Sequence, residues 1–371
     1  MAKIITDSCW VEINLPAIQH NLKEIKKMVG KNTILMPVVK SEAYGHGASE
    51  VARICQREGV KNFAVATVSE GVNIRKSGIK GEILALYNTR REEIADALKY
   101  DISISLFKRR LAENLNSKAE TQKKIAKVHI PVDTGMGWYG LSSDEALGFI
   151  NYIKSLKHIK IDGIYSHFSK TKSKEFSENQ IKTFSKITKN LQTHGITANF
   201  HLAKSSGIIS YDRSHMSAVR PGLMLYGIQP QDTHHTKVNL KSAMSFKTQV
   251  FQVRNLPKDM PISYDGTFIT KRDSKIAILP TGYSNGLSRY LSNRGEVIIK
   301  GKKFPIIGNI CMNITIVDIT NGSDIKEGDK VTLMGKDGNL KITANEIAEK
   351  VNTTCYEILV NIGSNNQRVY I

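Results

Sequence analysis

A lysine closes an apolar run. Pro37-Val38-Val39-Lys40 leads directly into Ser41-Glu42-Ala43-Tyr44-Gly45-His46-Gly47, a polar loop punctuated by glycine. An amine at the end of a buried strand is partly desolvated, which lowers its pKa and frees it as a nucleophile or a base. A lysine snorkelling from a strand end explains the same residues about equally well by spacing alone. Taken singly, His167 reads as a satisfied core histidine and Tyr264 as an interface aromatic. The four cysteines, Cys9, Cys55, Cys311 and Cys355, form no CxxC pair and lie near no histidine at zinc-ligand spacing. They read as reduced, mostly buried thiols, and no metal is expected.

The elements that must position Lys40 are short apolar runs alternating with amphipathic segments. Residues 33–39, 63–66, 83–86, 102–106, 125–132, 159–165 and 198–202 read as buried strands. Such near-continuous apolar strands, covered by helices, mark a parallel sheet. Ser142 and Glu145 form a capping box ahead of Ala146, Leu147, Phe149, Ile150, Ile153 and Leu156. Phe176, Ile181, Phe184, Ile187 and Leu191 form one helical stripe. The α/β fold predicted is an N-terminal (β/α)8 barrel, whose chemistry belongs at the C-terminal strand ends. An open doubly wound sheet is weakened by the lack of a Gly-rich phosphate loop after the first strand. Near residue 235 the pattern changes. The polar stretch Gln231-Asp232-Thr233-His234-His235-Thr236 reads as a linker, and short alternating strands follow at 243–253, 275–279, 297–299, 314–319 and 331–334. Asp337-Gly338 looks like a hairpin turn, and Thr343 with Glu346 caps one helix. This part is predicted to be mostly β.

A chain of 371 residues fits two domains, and an apolar share of 40% supports real cores. No apolar run reaches the roughly 18 residues of a membrane span, so no membrane partner is expected. Residues Met1 to Asp7 lack the basic-then-apolar layout of a signal peptide, so a cytoplasmic protein is expected. Lys plus Arg number 53 against 34 Asp plus Glu, a net charge of +19 that by itself admits a nucleic-acid partner. The lysines are scattered, as at Lys23, Lys26, Lys27 and Lys31, and no nucleic-acid-binding motif accompanies them. A lysine-rich surface attractive to small anions is expected instead, with no nucleic-acid partner.

The stretch around Lys40 resembles the pyridoxal-phosphate (PLP) attachment motif of alanine racemases, and the resemblance runs the length of the chain. Trp10-Val11-Glu12-Ile13-Asn14-Leu15 is similar to that family's opening strand. Val132-Asp133-Thr134-Gly135-Met136-Gly137, Ser166-His167-Phe168, Arg220-Pro221-Gly222-Leu223-Met224-Leu225-Tyr226-Gly227 and Ile262-Ser263-Tyr264 resemble its internal signatures. So do Gly282-Tyr283-Ser284-Asn285-Gly286, Ile310-Cys311-Met312 and Tyr356-Glu357-Ile358-Leu359. Each is weak alone; in this order they are specific together. The resemblance implies a PLP-binding barrel over residues 12–235 and a C-terminal β domain over 240–371, joined by an N-terminal strand within 1–11. It also implies a head-to-tail homodimer, and an isomerase that interconverts L- and D-alanine by a two-base mechanism, supplying D-alanine for peptidoglycan.

By that resemblance Lys40 holds PLP, while Tyr44, Ser205, Gly222, Leu223 and Tyr356 surround its phosphate. A glycine suits this place, because its backbone can approach an anion closely. Arg220 faces the pyridine nitrogen, where a permanent cation disfavours ring protonation and weakens the electron sink. Lys40 and Tyr264 are the two bases, with Tyr264 and Met312 reaching across the dimer interface. A tyrosine, with an ordinary pKa of about 10, needs help at neutral pH. The family supplies it through His167 and Arg220, since neighbouring positive charge favours the phenolate.

The chain departs from the family pattern around this site. Trp138 stands where an arginine is usual, and Pro131 where a lysine often braces that arginine. Lys204 replaces an asparagine and is expected to supply the missing cation. Asn285, Asn313 and Lys172 stand at usual aspartates, and Asn309 at a usual arginine, while Arg289 is kept. Substrate contacts are therefore expected from Met312, Trp138, Lys204 and Asn313, with a substrate range that is shifted or broadened, for example toward serine. Three alternatives stay open: a non-catalytic PLP carrier, a barrel-type PLP decarboxylase, and a racemase relative without activity. The β domain with Tyr264 and Met312 speaks against the carrier, and Ile310-Cys311-Met312 against the decarboxylase.

Overall fold

The computed structural model describes residues 8–234, 237–322 and 324–371. They form two compact units. One comprises Ala17–Ala43 and Ala48–Lys241; the other comprises the residues up to Pro16, Tyr44–Gly47 and Ser242–Ile371. The expected N-terminal strand lies partly outside the described residues, and its described part, β1 (Cys9–Ile13), pairs with strands of the second unit. The expected linker at 231–236 also lies partly outside them.

Parallel strands make the first unit. They are β2 (Ile34–Leu35), β3 (Asn62–Val65), β4 (Glu82–Asn88), β5 (Ser103–Ser105), β6 (Ala126–Pro131), β7 (Ile159–Tyr165), β8 (Asn199–Lys204) and β9 (Ala218–Arg220). The hydrogen-bonded order is β2-β9-β8-β7-β6-β5-β4-β3. The ring closes just after β2, where Ala64 N–H donates to Pro37 O at 2.9 Å and Val39 N–H donates to Ala64 O at 2.8 Å. This is the (β/α)8 barrel that the alternation of apolar runs predicts. Helices cover it with apolar stripes. Ile18, Leu22 and Ile25 are fully buried on the helix Leu15–Val29, and Ile181, Phe184, Ile187 and Leu191 are buried on Lys174–Thr193. Each such side chain contributes roughly 1.5–3 kcal/mol by leaving water. The Ser142–Glu145 capping box starts the helix Ser143–Lys154.

Two differences from the sequence reading have local causes. The run predicted over 33–39 is a strand only at Ile34–Leu35, because Pro37 has no N–H to give the ladder. The strand β9 was not predicted: it is three residues long and ends in the charged Arg220, so its pattern is too short to register.

In the second unit β10 (Met244–Gln249), β11 (Gln252–Leu256), β12 (Pro261–Ile262), β13 (Phe268–Ile269), β14 (Ser274–Leu279), β15 (Glu296–Ile299), β16 (Lys302–Pro305), β17 (Thr315–Asp318), β18 (Lys330–Asp337), β19 (Leu340–Ile342) and β20 (Gln367–Tyr370) build small sheets. The largest runs β16-β15-β18-β10-β1-β20, with β19 on β18; β11-β14-β17 and β12-β13 are separate. The single strand predicted over 243–253 is thus two, β10 and β11, which serve different sheets. The hairpin expected at Asp337-Gly338 turns one residue later: Asp337 pairs with Leu340, leaving Gly338-Asn339 as the loop. The predicted Thr343–Glu346 capping box opens the helix Ala344–Lys350.

Within this unit the segment Tyr44–Gly47 packs against the helix Cys355–Ser364. Gly45 has φ +84°, and a Cβ there would lie 2.4 Å from Leu359 O. A Cβ on Gly363 would lie 2.2 Å from Gly45 O. Arg368 Nε donates to Gly45 O at 2.8 Å and completes the clamp. Gly363→Ala is therefore expected to destabilise the protein by about 2–3 kcal/mol through overpacking, seen as a lower urea midpoint.

Candidate active site

Lys40 follows the barrel-closing segment and precedes a left-handed turn. Ser41, Glu42, Ala43 and Tyr44 all have φ between 51° and 55°. For residues with a Cβ this conformation costs roughly 1–2 kcal/mol each, so it must be held by its surroundings. Glu70, at the start of the helix Val68–Lys76, holds it: Oε1 accepts from Ser41 N–H at 2.8 Å, and Oε2 accepts from Ala66 N–H at 2.6 Å. Ala43 N–H donates to Val39 O at 2.9 Å. Lys40 Nζ donates to Tyr87 Oη at 2.9 Å. The barrel strand β4 thus supplies a partner for the amine that sequence reasoning did not name.

Arg220, the last residue of β9, is 2% exposed. Among the described residues no carboxylate pairs with it. Nη2 donates to Ser166 O at 2.6 Å, to Leu202 O at 3.2 Å and to His167 Nδ1 at 3.3 Å. Nη1 donates to His201 O at 3.1 Å and to His201 Nδ1. Its guanidinium also sits 5.2 Å from the centre of the Tyr165 ring. Burial pulls its pKa down to about 10, which still leaves a full positive charge at neutral pH.

That charge governs the histidines. Burial first, then Arg220, holds the pKa of His167 well below 6.5, with Lys204 and Lys40 adding to the effect. The same two causes act on His201. Both rings are neutral at neutral pH. Since Arg220 can only donate, Nδ1 of His167 is an acceptor and its proton sits on Nε2. The Trp138 ring lies 5.5 Å from His167 and stacks on Tyr139 at 5.1 Å. Asp133 shapes the loop before it, accepting from Gly135 N–H at 2.8 Å, Met136 N–H at 2.7 Å and Gly137 N–H at 2.8 Å. Lys204 Nζ pairs with Asp232 Oδ2 at 3.0 Å, another partner the sequence reading missed.

Ser205 Oγ accepts from Gly222 N–H at 2.8 Å and from Met224 N–H at 3.3 Å, with Leu223 buried between them. The first unit therefore brings together an amine just after the barrel-closing segment, a hydroxyl beside backbone N–H groups with no carboxylate bonded to it among the described residues, and a fixed buried cation. This donor set fits a carbonyl-bearing, phosphorylated heteroaromatic cofactor such as PLP. No group of three or more His, Cys, Asp or Glu among the described residues could hold a metal ion.

The remaining predicted residues belong to the second unit. The Tyr44 ring lies 5.5 Å from that of Tyr356. Tyr264 is 72% exposed and sits between Ser263 and Asp265, which both have φ 63°. Asn309 Nδ2 donates to Tyr264 O at 2.9 Å, and Ser263 Oγ donates to Asn309 O at 2.6 Å. Met312 is 56% exposed, and Asn313 Nδ2 donates to Ser284 Oγ at 2.8 Å. Sequence reasoning also missed Glu82, His129, Tyr165 and His201. A usable signal was present: a histidine inside an otherwise apolar strand, as in Val128-His129-Ile130 and Phe200-His201-Leu202.

Comparison with known proteins agrees with this arrangement. The family description "Alanine racemase, N-terminal domain" matches residues 13–230, and "Alanine racemase, C-terminal domain" matches residues 243–370. The chain is 39% identical over 365 residues to alanine racemase 2 of Caldanaerobacter subterraneus subsp. tengcongensis, covering 97% of this chain and 94% of that one. It is similar to the solved alanine racemase of Clostridium difficile 630, with TM-score 0.94, 33% identity, and coverage of 99% and 97%. It is likewise similar to the Bartonella henselae alanine racemase with covalently bound pyridoxal phosphate, with TM-score 0.87, 29% identity, and coverage of 98% and 100%.

The depressed histidines make stability depend on acid. Below 6.5 the unfolded chain takes up protons that folded His167 and His201 refuse, so their contribution is full above that value and is lost as pH falls. The thermal midpoint is expected to drop between about pH 7 and pH 5, and His167→Gln to flatten that slope in a calorimetric pH series.

Proposed function

Because the chain belongs to the alanine racemase family, we propose that it interconverts L- and D-alanine, with PLP held through Lys40. It is a PLP-dependent amino-acid racemase, an isomerase. The observation that carries the reading is Arg220: a buried cation with no bonded carboxylate among the described residues, beside neutral histidines, in the same barrel as Lys40.

When bound, PLP supplies the electron sink that makes the α-proton of an amino acid removable. Ser205 Oγ and the backbone of Gly222 and Leu223 would hold its phosphate, and the family resemblance adds Tyr44 and Tyr356. Arg220 would face the ring nitrogen, where its fixed charge would disfavour ring protonation, restrain the sink and favour simple proton exchange. Lys40 Nζ moves a proton on one face of the substrate. Tyr264 Oη of the partner subunit moves one on the other face. His167 Nε2–H, set by Arg220 at Nδ1, donates toward that phenol oxygen and supports its charged form. Lys204, oriented by Asp232, carries the positive charge for the substrate carboxylate that an arginine at 138 would otherwise supply. Trp138, Met312 and Asn313 shape the substrate space, and this altered lining supports a range that extends beyond alanine. D-alanine for peptidoglycan is the product use proposed.

The homodimer rests on exposure. Tyr264, Met312 and Ile314 lie uncovered on linked loops of one chain, and large apolar side chains grouped this way mark an interface. No described helix is long and apolar enough to cross a membrane, and no disulfide joins the four cysteines; a cytoplasmic setting is part of the proposal.

A complementation assay tests the two bases and the interface together. Lys40→Ala and Tyr264→Phe homodimers are each expected to lose racemisation. Refolding an equal mixture restores about a quarter of wild-type activity, because half the dimers are mixed and each has one intact site. No recovery, with mixed dimers verified, excludes Tyr264 acting across the interface. Lys204→Ala is expected to raise KM for alanine about tenfold with little change in kcat, as for a group that binds substrate and transition state alike. An unchanged KM removes Lys204 from the site.

A further inference from the structure

A chain of hydrogen bonds runs down the barrel interior from Arg220 to its far end. Arg220 Nη1 meets His201 Nδ1; His201 Nε2 lies 2.9 Å from His129 Nδ1; His129 Nε2 lies 2.6 Å from Glu82 Oε1. His129 and His201 are fully buried. Glu82 is the first residue of β4 and Arg220 the last of β9, so in this parallel barrel the chain joins opposite ends. The N-terminal face of such a barrel ordinarily carries stability rather than chemistry.

The chain has a single direction. A guanidinium only donates, so His201 Nδ1 accepts. His201 is neutral, so its proton is on Nε2 and is donated to His129 Nδ1. His129 must then carry its own proton on Nε2 and donate it to Glu82. A protonated His129 would offer Nδ1–H to the donating Nε2 of His201, placing two donors face to face. Glu82 is suited to end the chain as an acceptor. Burial opposes its ionisation, but the hydrogen bond from His129, helped by Lys127 and Ser103, holds the carboxyl below its ordinary value. The other charged groups facing it are Lys127, paired with Asp101 at 2.9 Å, and Lys160, paired with Asp162 at 2.6 Å. The fold reserves space for this chain. At Gly163, beside His129 in the β6–β7 ladder, a Cβ would lie 2.2 Å from His129 Nδ1, the atom that receives the His201 proton donor.

From this geometry we infer that Glu82 is a positioning residue for the racemase site. As the terminal acceptor it locks His129 and then His201 into the tautomers that leave His201 Nδ1 free to accept from Arg220. Without it either ring can turn over its proton, Arg220 loses a buried acceptor, and its hold on the cofactor ring and on His167 loosens. The inference rests on the racemase reading of Arg220, so its test has a readout independent of turnover.

That readout is NMR of isotope-labelled histidine in the purified holoenzyme. His129 and His201 are expected to be neutral and protonated on Nε2 in the wild type. In Glu82→Leu, which removes the acceptor, the His129 signal is expected to leave that state. There kcat falls about tenfold with KM for alanine unchanged, and the pH profile of kcat shifts. Glu82→Gln, whose amide oxygen still accepts from His129, restores the wild-type tautomers and most of kcat. A wild-type His201 protonated on Nδ1 overturns the inference, even if Glu82→Leu does not fold. So does a Glu82→Leu enzyme with the wild-type pH profile, or a folded Glu82→Gln enzyme no better than Glu82→Leu. A wild type that racemises no amino acid defeats the racemase reading instead, and leaves the tautomers to be read on their own.

Discussion

A buried guanidinium without a carboxylate must find every acceptor it needs inside the protein. Removing such a charge from water costs several kcal/mol unless its donors are satisfied. Arg220 meets this demand with backbone carbonyls from Ser166, just past β7, and from His201 and Leu202 within β8, and with two imidazole nitrogens. Burial, reinforced by the cation, keeps both rings neutral, and the cation decides which nitrogen carries each proton. The tautomer of His201 dictates that of His129, and the His129 ring in turn requires a glycine at 163. One side chain thus sets polar contents that most barrels of this kind fill with branched apolar residues.

Lys40 is placed by a different device. Barrel closure comes immediately before it, through the carbonyl of Pro37 and the amide of Val39. A left-handed turn comes immediately after it. Closure secures the backbone just before the lysine to β3, and the left-handed turn follows at once, with no glycine among Ser41 to Tyr44 to ease the bend. Glu70 offsets the resulting strain by binding the turn at Ser41 and the neighbouring strand end at Ala66. The amine therefore stands on a rigid base, which suits a group that must both hold a cofactor and move a proton.

Two of the departures from the family pattern, Trp138 and Lys204, lie in the first unit, each tied to its own neighbours. Trp138 is part of an aromatic group with Tyr139, Phe107 and Tyr87, and Tyr87 is also the hydrogen-bond partner of Lys40. Lys204 is tied to Asp232, which also accepts from Ser206 Oγ at 3.1 Å. An arginine at 138 would have brought a cation over this region. Here an apolar ring stands at position 138, and Lys204 on β8 is the cation proposed in its place.

Much of the fold was legible in the sequence because its cause is local. Apolar runs at strand length and stripes at helical spacing announce a barrel and its cover, and the capping boxes at Ser142 and Thr343 mark helix starts. The short β9, the end of β2 before Pro37 and the division of 243–253 between two sheets were less legible, since pairing partners rather than sequence pattern define them. The motif residues Lys40, His167, Arg220 and Tyr264 could be named from their order along the chain. Their states could not. The neutrality of His167, the partners of Lys40 and Lys204, and the path from Arg220 through His201 and His129 to Glu82 all depend on side chains 15 or more positions apart meeting in a space closed to water. Residue order determined which groups are present. Only the folded barrel decided which of them donate, which accept and which carry charge, because those properties arise from burial and from neighbours that the chain brings together when it closes.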